Sequence, residues 1–229
     1  KEAQTRLSGV LDTLERLETY RGFFYNYYDT TTLERTSHFV SFVDSAWLTA
    51  GLMVARNAVP ELGGRCSRLI DREDYRFFYD PVEQLMMHGY YVNLPQRSEY
   101  SYGLLYSEAR LGSLIAIGKG EAPVEHWYRM ARTFPASFDW QSQSPKRRVD
   151  KTVDGYRLAG GYYFWKGLKY VPSWGGSLFE ALMPLLVLDE LRYAPASLGR
   201  NALAHAQIHR RFALEHLGYP VWGLSPSST

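Results

Sequence analysis

The stretch LYSEARLGSLIAIG, residues 105–118, decides the fold, because its apolar side chains recur at helical spacing and predict a buried helix. Glu108 interrupts this apolar pattern. On a helix its neighbours on the same face would include Leu111 and Ile115, while Arg110 would point to another side. A buried carboxylate either pairs or takes up a proton more readily, and a general acid near neutral pH needs the second property. Glu108 is therefore a catalytic acid, a structural ion-pair partner or an exposed residue at the helix end.

Further apolar patterns on both sides of this stretch predict more helices. Long loops rich in aromatic residues join them, and GYRLAGGYYFW, residues 155–165, predicts a small β-hairpin. We therefore expect an all-α fold in a single domain over residues 1–229. An (α/α)6 toroid has this character, although periodicity alone does not distinguish it from other large helical folds. The predicted helices are 3–19, 39–59, 71–87, 105–118, 121–133, 177–191 and 196–217.

Composition excludes several classes of protein. Among 229 residues the formal net charge is +2 with acids and bases interspersed, which gives no support for a nucleic-acid partner. No apolar run is long enough to predict a membrane segment. The lone Cys66 rules out an internal disulfide. His205 and His209 have a spacing that can bind metal, but no third ligand forms a motif with them, so we expect neither a metal nor a cofactor.

Aromatic residues make up 15% of the chain, with 18 Tyr and 6 Trp. Tyr and Trp combine a flat apolar face with a polar edge. Such surfaces suit sugar rings, whose C–H faces stack and whose hydroxyl groups need hydrogen-bonding partners. A tyrosine-rich core would give the same composition, so both interpretations stay open here.

Three further carboxylates have two interpretations each. Asp44 and Glu180 lie within apolar helical patterns, yet each also fits the first turn of a helix, where an acid is favoured by the helix dipole. Asp29, in YNYYDTTT, is typical of an Asx-turn. A pair of carboxylates is the usual equipment for glycoside hydrolysis, in which one protonates the leaving oxygen and the other activates water or attacks directly.

Five sequence blocks carry a resemblance to a known family, in the order YRGFFYNYYDTTTLE, FVSFVDSAWL, YSEARLGSLIAIGKGEAPVEHWYRMAR, SWGGSLFEALMPLL and GYPVWGLSPSS. The chain resembles the glucoamylase-like family. That family includes bacterial endo-β-1,2-glucanases, and the cyclising domain of cyclic β-1,2-glucan synthases is similar to it. The resemblance runs from about residue 20 to the C-terminus and is poor over residues 135–165.

The resemblance implies an (α/α)6 toroid with a cleft for a β-linked glucan, and it implies site residues. Glu108 matches the catalytic acid of the S-E-A-R-L block, and Asp44 matches the acid of the V-D-S block. We assign Glu108 as general acid and Asp44 as general base. We assign substrate binding to side chains in the same blocks: Tyr25, Asp29, Trp47, Tyr106, Trp127, Trp174, Glu180 and Trp222.

The final block departs from the pattern of the synthases. There the motif resembles W-G-I-S-E-S, whose Glu serves as nucleophile, and Pro226 stands at that position here. The hydrolytic branch is closer to W-G-L-T-A-S-D, which Ser225 and Ser227 fit, but Ser228 replaces its Asp. We therefore expect an inverting hydrolase rather than a retaining transglycosylase.

These inferences predict a glycoside hydrolase acting on an oligo- or polysaccharide, with β-1,2-glucan as the expected substrate. The alternatives are a non-catalytic glucan-binding module, and a glycosidase or transglycosylase for another polysaccharide. A toroid of twelve helices needs more residues than this chain has, so we expect the chain to be part of a longer protein and to be completed by further segments. The resemblance also favours a periplasmic or secreted location.

Overall fold

The computed structural model describes residues 1–136, 138 and 143–223. The chain divides into two compact units. Unit 1 consists of residues 1–102 and 111–123, and unit 2 of residues 103–110 and of residues from 124 onward. The expectation of a single domain over residues 1–229 stays a prediction.

The helices of unit 1 pack around an apolar core. Buried Leu11 of the first helix contacts a cluster that includes Leu52, Leu69 and Ile70. The second helix begins where the Ser41 hydroxyl caps it by accepting from an amide of the first turn. The helices are α1 (Glu2–Leu14), α2 (Phe42–Ala58), α3 (Gly63–Asp71) and α4 (Arg110–Gly118), of which the last begins with a residue of unit 2.

Unit 1 also contains three small antiparallel sheets, with strand orders β1-β2, β3-β6-β7 and β4-β5-β8. Most of these strands have only two or three residues. The first hairpin turns at Arg21 and Gly22, which both have positive φ angles. The strands are β1 (Thr19–Tyr20), β2 (Phe23–Phe24), β3 (Phe39–Ser41), β4 (Tyr79–Asp80), β5 (Leu85–Met87), β6 (Gly89–Tyr91), β7 (Gln96–Arg97) and β8 (Ser101–Tyr102).

Unit 2 is built around a longer three-stranded antiparallel sheet in the order β11-β10-β9. The Asp154-Gly155 turn, with two positive φ angles, sets the register in which Tyr156 pairs with Val153. Its core includes Leu104, Phe134 and Tyr163. The elements are α5 (Glu125–Arg129), β9 (Arg147–Val153), β10 (Tyr156–Trp165), β11 (Leu168–Tyr170), α6 (Leu178–Leu182), α7 (Glu190–Tyr193) and α8 (Leu198–Arg211).

The predicted all-α class, and with it the all-α toroid, is wrong. The described residues contain eight α-helices but also eleven strands in four sheets. The predicted helix at 71–87 is a short 3-10 helix followed by β4 and β5. The helix does not extend through this segment because the chain turns at Pro81, where Asp80 Oδ1 accepts hydrogen bonds from the amides of Val82 at 2.8 Å and Glu83 at 3.2 Å.

Other boundaries also differ from the prediction. The predicted hairpin at 155–165 is one strand, β10, which forms hairpins with both of its neighbours. The predicted helix at 177–191 is interrupted by a 3-10 turn at Met183–Leu186, which contains Pro184. The last predicted helix ends its α-helical part at Arg211 and continues as a π-helical turn, Phe212–His216. No helix in the described ranges is long and apolar enough to cross a membrane.

Candidate active site

Glu108 lies in the turn that precedes α4 rather than inside the helix. The helix begins two residues later, at Arg110. Neighbouring Tyr106, Ser107 and Ala109 are buried, whereas Glu108 is only half-buried. The Leu105 amide, which begins this turn, donates to the Ala131 carbonyl at 2.9 Å. The turn is therefore anchored by its buried residues, and Glu108 is less buried than they are, although its Oε2 atom is buried.

Arg110 anchors the same turn from its other end, and the prediction that it points to another side of the helix than Glu108 stays a prediction. Its side chain is 0% exposed and forms a bidentate ion pair with Glu190, at 2.7 and 3.0 Å. The guanidinium also donates to the carbonyls of Ser107 at 2.8 Å, Glu180 at 3.3 Å and Ala181 at 2.8 Å. A buried cation requires such partners, and these bonds join the Glu108 turn to α6 and α7.

Glu180 accepts two hydrogen bonds from one backbone amide. Its carboxylate oxygens lie 2.8 and 3.1 Å from the Gly175 nitrogen, and its own amide donates to the Ser177 hydroxyl that caps α6. A Cβ atom on Gly175 would lie 2.7 Å from Glu180 Oε1. The close approach at this glycine is therefore made by Glu180 itself, as expected for an acid in the first turn of a helix.

A cavity of about 350 Å³ lies in unit 2 beside these residues of the SWGG segment. Trp174 forms part of its wall and packs against Phe134, with ring centroids 6.0 Å apart. Trp174 is the one predicted binding residue in the described part of this wall; some of the other residues adjoin it in sequence, whereas residues such as Phe134 and Phe212 come from distant parts of the chain, so local patterns do not predict them. The described lining residues are Phe134, Gln143, Trp165, Tyr170, Pro172, Ser173, Trp174, Gly175, Gly176, His205, Ile208, His209 and Phe212.

Both histidines of the i,i+4 pair are held by backbone carbonyls. His205 Nε2 lies 2.8 Å from the Val171 carbonyl oxygen, and His209 Nε2 lies 2.6 Å from that of Gly176. Burial lowers the pKa of His205 to about 4 and also lowers the pKa of His209. Across the described ranges, no group of three or more His, Cys, Asp or Glu side chains is placed to hold a metal ion.

Three other predicted binding residues of unit 2 have different environments. Tyr106 is fully buried, with its ring stacked on His205 at a centroid distance of 5.0 Å, so it supports the interior of the unit. Trp127 is half-buried in α5. Trp222 is 45% exposed, near the end of the described chain. Ser225, Pro226, Ser227 and Ser228, on which the choice between hydrolase and transglycosylase depends, lie outside the described residues.

Asp44 belongs to unit 1 and lies in the first turn of α2, with its side chain exposed. Its carboxylate accepts from Asn26 Nδ2 at 3.1 Å. His88 lies near enough for the Asp44 charge to favour protonation of its ring, although burial dominates and lowers the pKa of His88. This arrangement leaves the Asp44 carboxylate accessible to water, which a general base requires.

Of the other predicted residues of unit 1, Asp29 is exposed, whereas Tyr25 and Trp47 are less accessible than Asp44. Asp29 forms the expected Asx-turn and accepts from the amides of Thr31 and Thr32, each at 2.7 Å. Tyr25 is 5% exposed, with its ring 5.0 Å from the Arg35 guanidinium. Trp47 is half-buried, and its indole nitrogen has no hydrogen-bond partner in the described part of the chain.

Comparison with known proteins supports the relationship that the sequence motifs predict. The chain is 34% identical over 155 residues to the cyclic β-(1,2)-glucan synthase NdvB of Rhizobium meliloti (strain 1021), covering 68% of this chain and 4% of the synthase. No family model matches the chain.

Solved structures show the fold. The chain matches a proposed glucoamylase of Bacteroides fragilis NCTC 9343 with a TM-score of 0.67 and 16% identity, over 100% of this chain and 55% of the other. An endo-β-1,2-glucanase of Chitinophaga pinensis, solved with sophorotriose and glucose, matches with a TM-score of 0.62 and 16% identity, over 96% and 52%. A proposed glucoamylase of Bacteroides caccae ATCC 43185 matches with a TM-score of 0.67 and 15% identity, over 100% and 56%.

The chain thus spans about half the length of these solved structures and a small part of the synthase. The predicted resemblance is confirmed by both kinds of comparison: this chain is a relative of the cyclic β-1,2-glucan synthase and has the fold of glucoamylase-like proteins.

Proposed function

We propose that the protein is a glycoside hydrolase that cleaves a β-glucan, with β-1,2-linked glucan as its substrate. The observation that carries this proposal is the placement of Glu108, a half-buried residue on a turn whose Ser107 carbonyl accepts a hydrogen bond from buried Arg110. Sequence similarity to a β-1,2-glucan synthase, and a fold shared with an endo-β-1,2-glucanase, support the choice of substrate class.

In this proposal Glu108 protonates the glycosidic oxygen as the leaving sugar departs. Asp44 removes a proton from the water that attacks the anomeric carbon from the opposite face. The configuration at that carbon inverts, so a β-linked glucan would first release an α-anomer. A separation of roughly 6.5–9.5 Å between the two carboxyl groups would suit this reaction.

Substrate binding is proposed for the aromatic and acidic residues of the motif blocks. Trp174 offers its ring to the unit 2 cavity, while exposed Trp222 offers a second aromatic face. Trp47, Trp127 and Tyr25 are less open, and Tyr106, Asp29 and Glu180 are proposed to act by shaping the surface around the sugar. A periplasmic or secreted location is proposed with this activity.

The test compares the protein with Glu108→Gln on a panel of glucans that includes β-1,2-, β-1,3-, β-1,4- and α-1,4-linked chains. We expect release of reducing ends from the β-1,2-glucan and a loss of about 10²-fold or more in Glu108→Gln, because a general acid contributes on that order. Glu125→Gln, an exposed acid in α5, is the matched control and should keep full activity. Full activity of Glu108→Gln would refute its assignment as general acid. NMR identifies the anomer that is released first, and an α-anomer is the result expected for inversion.

A second candidate function is a glucan-binding module without catalysis. The observation that favours it is the pair of departures in the last motif, Pro226 and Ser228, where the resemblance implies a Glu in the synthases and an Asp in the hydrolytic branch. Such a module would be retarded by β-1,2-glucan in affinity electrophoresis and would release no reducing ends.

A further inference from the structure

The walls of the unit 2 cavity are aromatic and half-open. Trp165, Tyr170, Trp174 and Phe212 each keep part of their surface accessible, whereas Phe134 closes the wall behind them with 4% exposure. The volume of about 350 Å³ lies at the lower end of the roughly 300–1,000 Å³ that is usual for ligand pockets. The cavity therefore suits one or two sugar-sized rings rather than a long chain.

The aromatic walls are held in place from outside the cavity. Trp165 lies under the Lys166 ammonium, 4.9 Å from its ring centroid, and under the Arg211 guanidinium at 5.6 Å. The Arg211 guanidinium is itself fixed by donating to the Lys166 carbonyl at 3.0 Å. On the other side, Trp174 packs on Phe134 and Phe138. Rings fixed before a ligand arrives lose little conformational entropy on binding.

The cavity has polar groups but no ionised side chain among its described lining residues. Burial lowers the pKa values of His205 and His209, so both rings are neutral at pH 7. Gln143 accepts a hydrogen bond from the Tyr170 hydroxyl, which leaves its amide group as a donor at the cavity wall. Ser173 and the backbone of Gly175 and Gly176 also line it, but the Gly175 amide already donates to Glu180 and the Gly176 amide to the Ser173 hydroxyl, so Gln143 is the main polar group left for a ligand.

This combination selects against charged ligands and against purely apolar ones. A phosphate or carboxylate would lose its hydration without meeting a cation among the lining residues, and a hydrocarbon would leave the Gln143 amide group without a partner. A neutral pyranose ring satisfies both parts of the wall, because its C–H face can lie on an indole ring while its hydroxyl groups bond the Gln143 amide group.

We infer that this cavity is a binding site for one or two neutral glucosyl units, with Trp165 and Trp174 among its aromatic lining residues. The inference rests on the proposed function for the identity of the sugar and extends it to residues outside the motif blocks: Trp165, Tyr170, His209 and Phe212. The site belongs to unit 2 alone and its binding step needs no catalysis.

The experiment titrates the protein, in the Glu108→Gln background, with sophorose, the β-1,2-linked glucose disaccharide, and follows tryptophan fluorescence and heat. We expect saturable binding that falls at least 10-fold in Trp174→Ala and in Trp165→Ala. Phe164→Leu is the matched control, since this neighbouring residue of β10 is 50% exposed and is not among the lining residues. Glucose 6-phosphate is the charged comparator and should not bind.

Circular dichroism spectra of all variants check that each is folded, and Trp165→Phe and Trp174→Phe provide milder substitutions if an alanine variant is not. Sophorose binding that is unchanged in both tryptophan variants, or equal binding of glucose 6-phosphate, would overturn the inference. Binding through these residues in a protein that cleaves no glucan would refute the proposed hydrolase and support this inference. If the tryptophan variants cleave glucan with an unchanged KM, this inference is refuted and the proposed hydrolase is supported.

Discussion

The ion pair between Arg110 and Glu190 is the polar contact with the largest expected effect on unit 2. Both side chains are almost fully buried, and the guanidinium also satisfies three backbone carbonyls. Removing one partner of a buried pair leaves the other charge without compensation, which usually costs more than the intact pair contributes.

We expect Arg110→Met to destabilise the protein by about 3–5 kcal/mol, because Glu190 would remain buried and unpaired. The double variant Arg110→Met/Glu190→Leu should recover part of that loss. Arg200→Met, at an exposed position of α8, should change stability by less than about 0.5 kcal/mol. Urea unfolding measures all three, and a double variant as unstable as Arg110→Met alone would show that the pairing does not matter.

Glu73, in unit 1, is the second residue that we expect to affect stability, through the pH at which it titrates. Its side chain is 1% exposed and accepts a hydrogen bond from the Thr49 hydroxyl, which also contacts Tyr75. Burial raises the pKa of Glu73 from 4.5 to about 7, against the opposing effects of Thr49, Lys119 and Arg72. The folded state therefore holds this proton more tightly than the unfolded state does.

A raised pKa in the folded state means that stability is highest below 4.5 and is lost as the pH rises through about 7. Within that window we expect Glu73 to lower the free energy of unfolding by about 1.4 kcal/mol per pH unit. Glu73→Gln should remove this slope, whereas Glu61→Gln, at an exposed position, should keep it. Urea unfolding at several pH values provides the measurement, and parallel pH profiles for the two variants would contradict the assignment.

At the scale of elements, α4 approaches α2 closely at Gly112. A Cβ atom there would lie 2.6 Å from Phe42 Cζ and 2.8 Å from Ala46 Cβ. The glycine in the LYSEARLGSL stretch is therefore required by packing. Gly51 lies in the middle of α2 and has open space around its Cα atom.

These two glycines give a matched pair of substitutions. Gly51→Ala should stabilise the protein by up to about 1 kcal/mol, because alanine has the higher helix propensity. Gly112→Ala should instead destabilise it by about 1–3 kcal/mol, since overpacking forces Phe42 or the helix to shift. Thermal and urea unfolding measure the stability of both variants. If both substitutions stabilise the protein, α4 can move away from α2 without loss of stability.

Elements also differ in how far the sequence predicts them. The helices α1, α2 and α8 follow from an apolar period of 3.6 residues, because each has enough turns for the period to be visible. A two-residue strand such as β1 or β7 is too short to show a period, so hydrophobic periodicity does not predict the sheets of unit 1. The chain turns from β9 into β10 at Asp154-Gly155, a common hairpin pair, but the sequence analysis predicts the hairpin within residues 155–165, which form the single strand β10.

At the scale of the whole molecule, contacts between residues far apart in sequence determine features that the local sequence pattern does not predict. Arg110 is buried because Glu190 comes from a segment eighty positions away, and no local rule connects the two. The cavity likewise combines residues from 134 to 212. Motif blocks predicted Glu108 and Trp174 because their residues are contiguous in sequence, whereas the walls around Trp174 depend on the fold.

The division into units follows the chain in an interleaved order: unit 1 ends its first segment at residue 102, unit 2 takes residues 103–110, and unit 1 resumes through residue 123. As a nascent chain emerges, unit 1 is complete only after the first piece of unit 2 has already been made. No single cut of the gene would separate the units cleanly, because a cut after residue 123 leaves residues 103–110 with unit 1 and a cut after residue 102 leaves residues 111–123 with unit 2. Each such truncation should therefore leave one unit with both of its segments and the other unit without one of its segments.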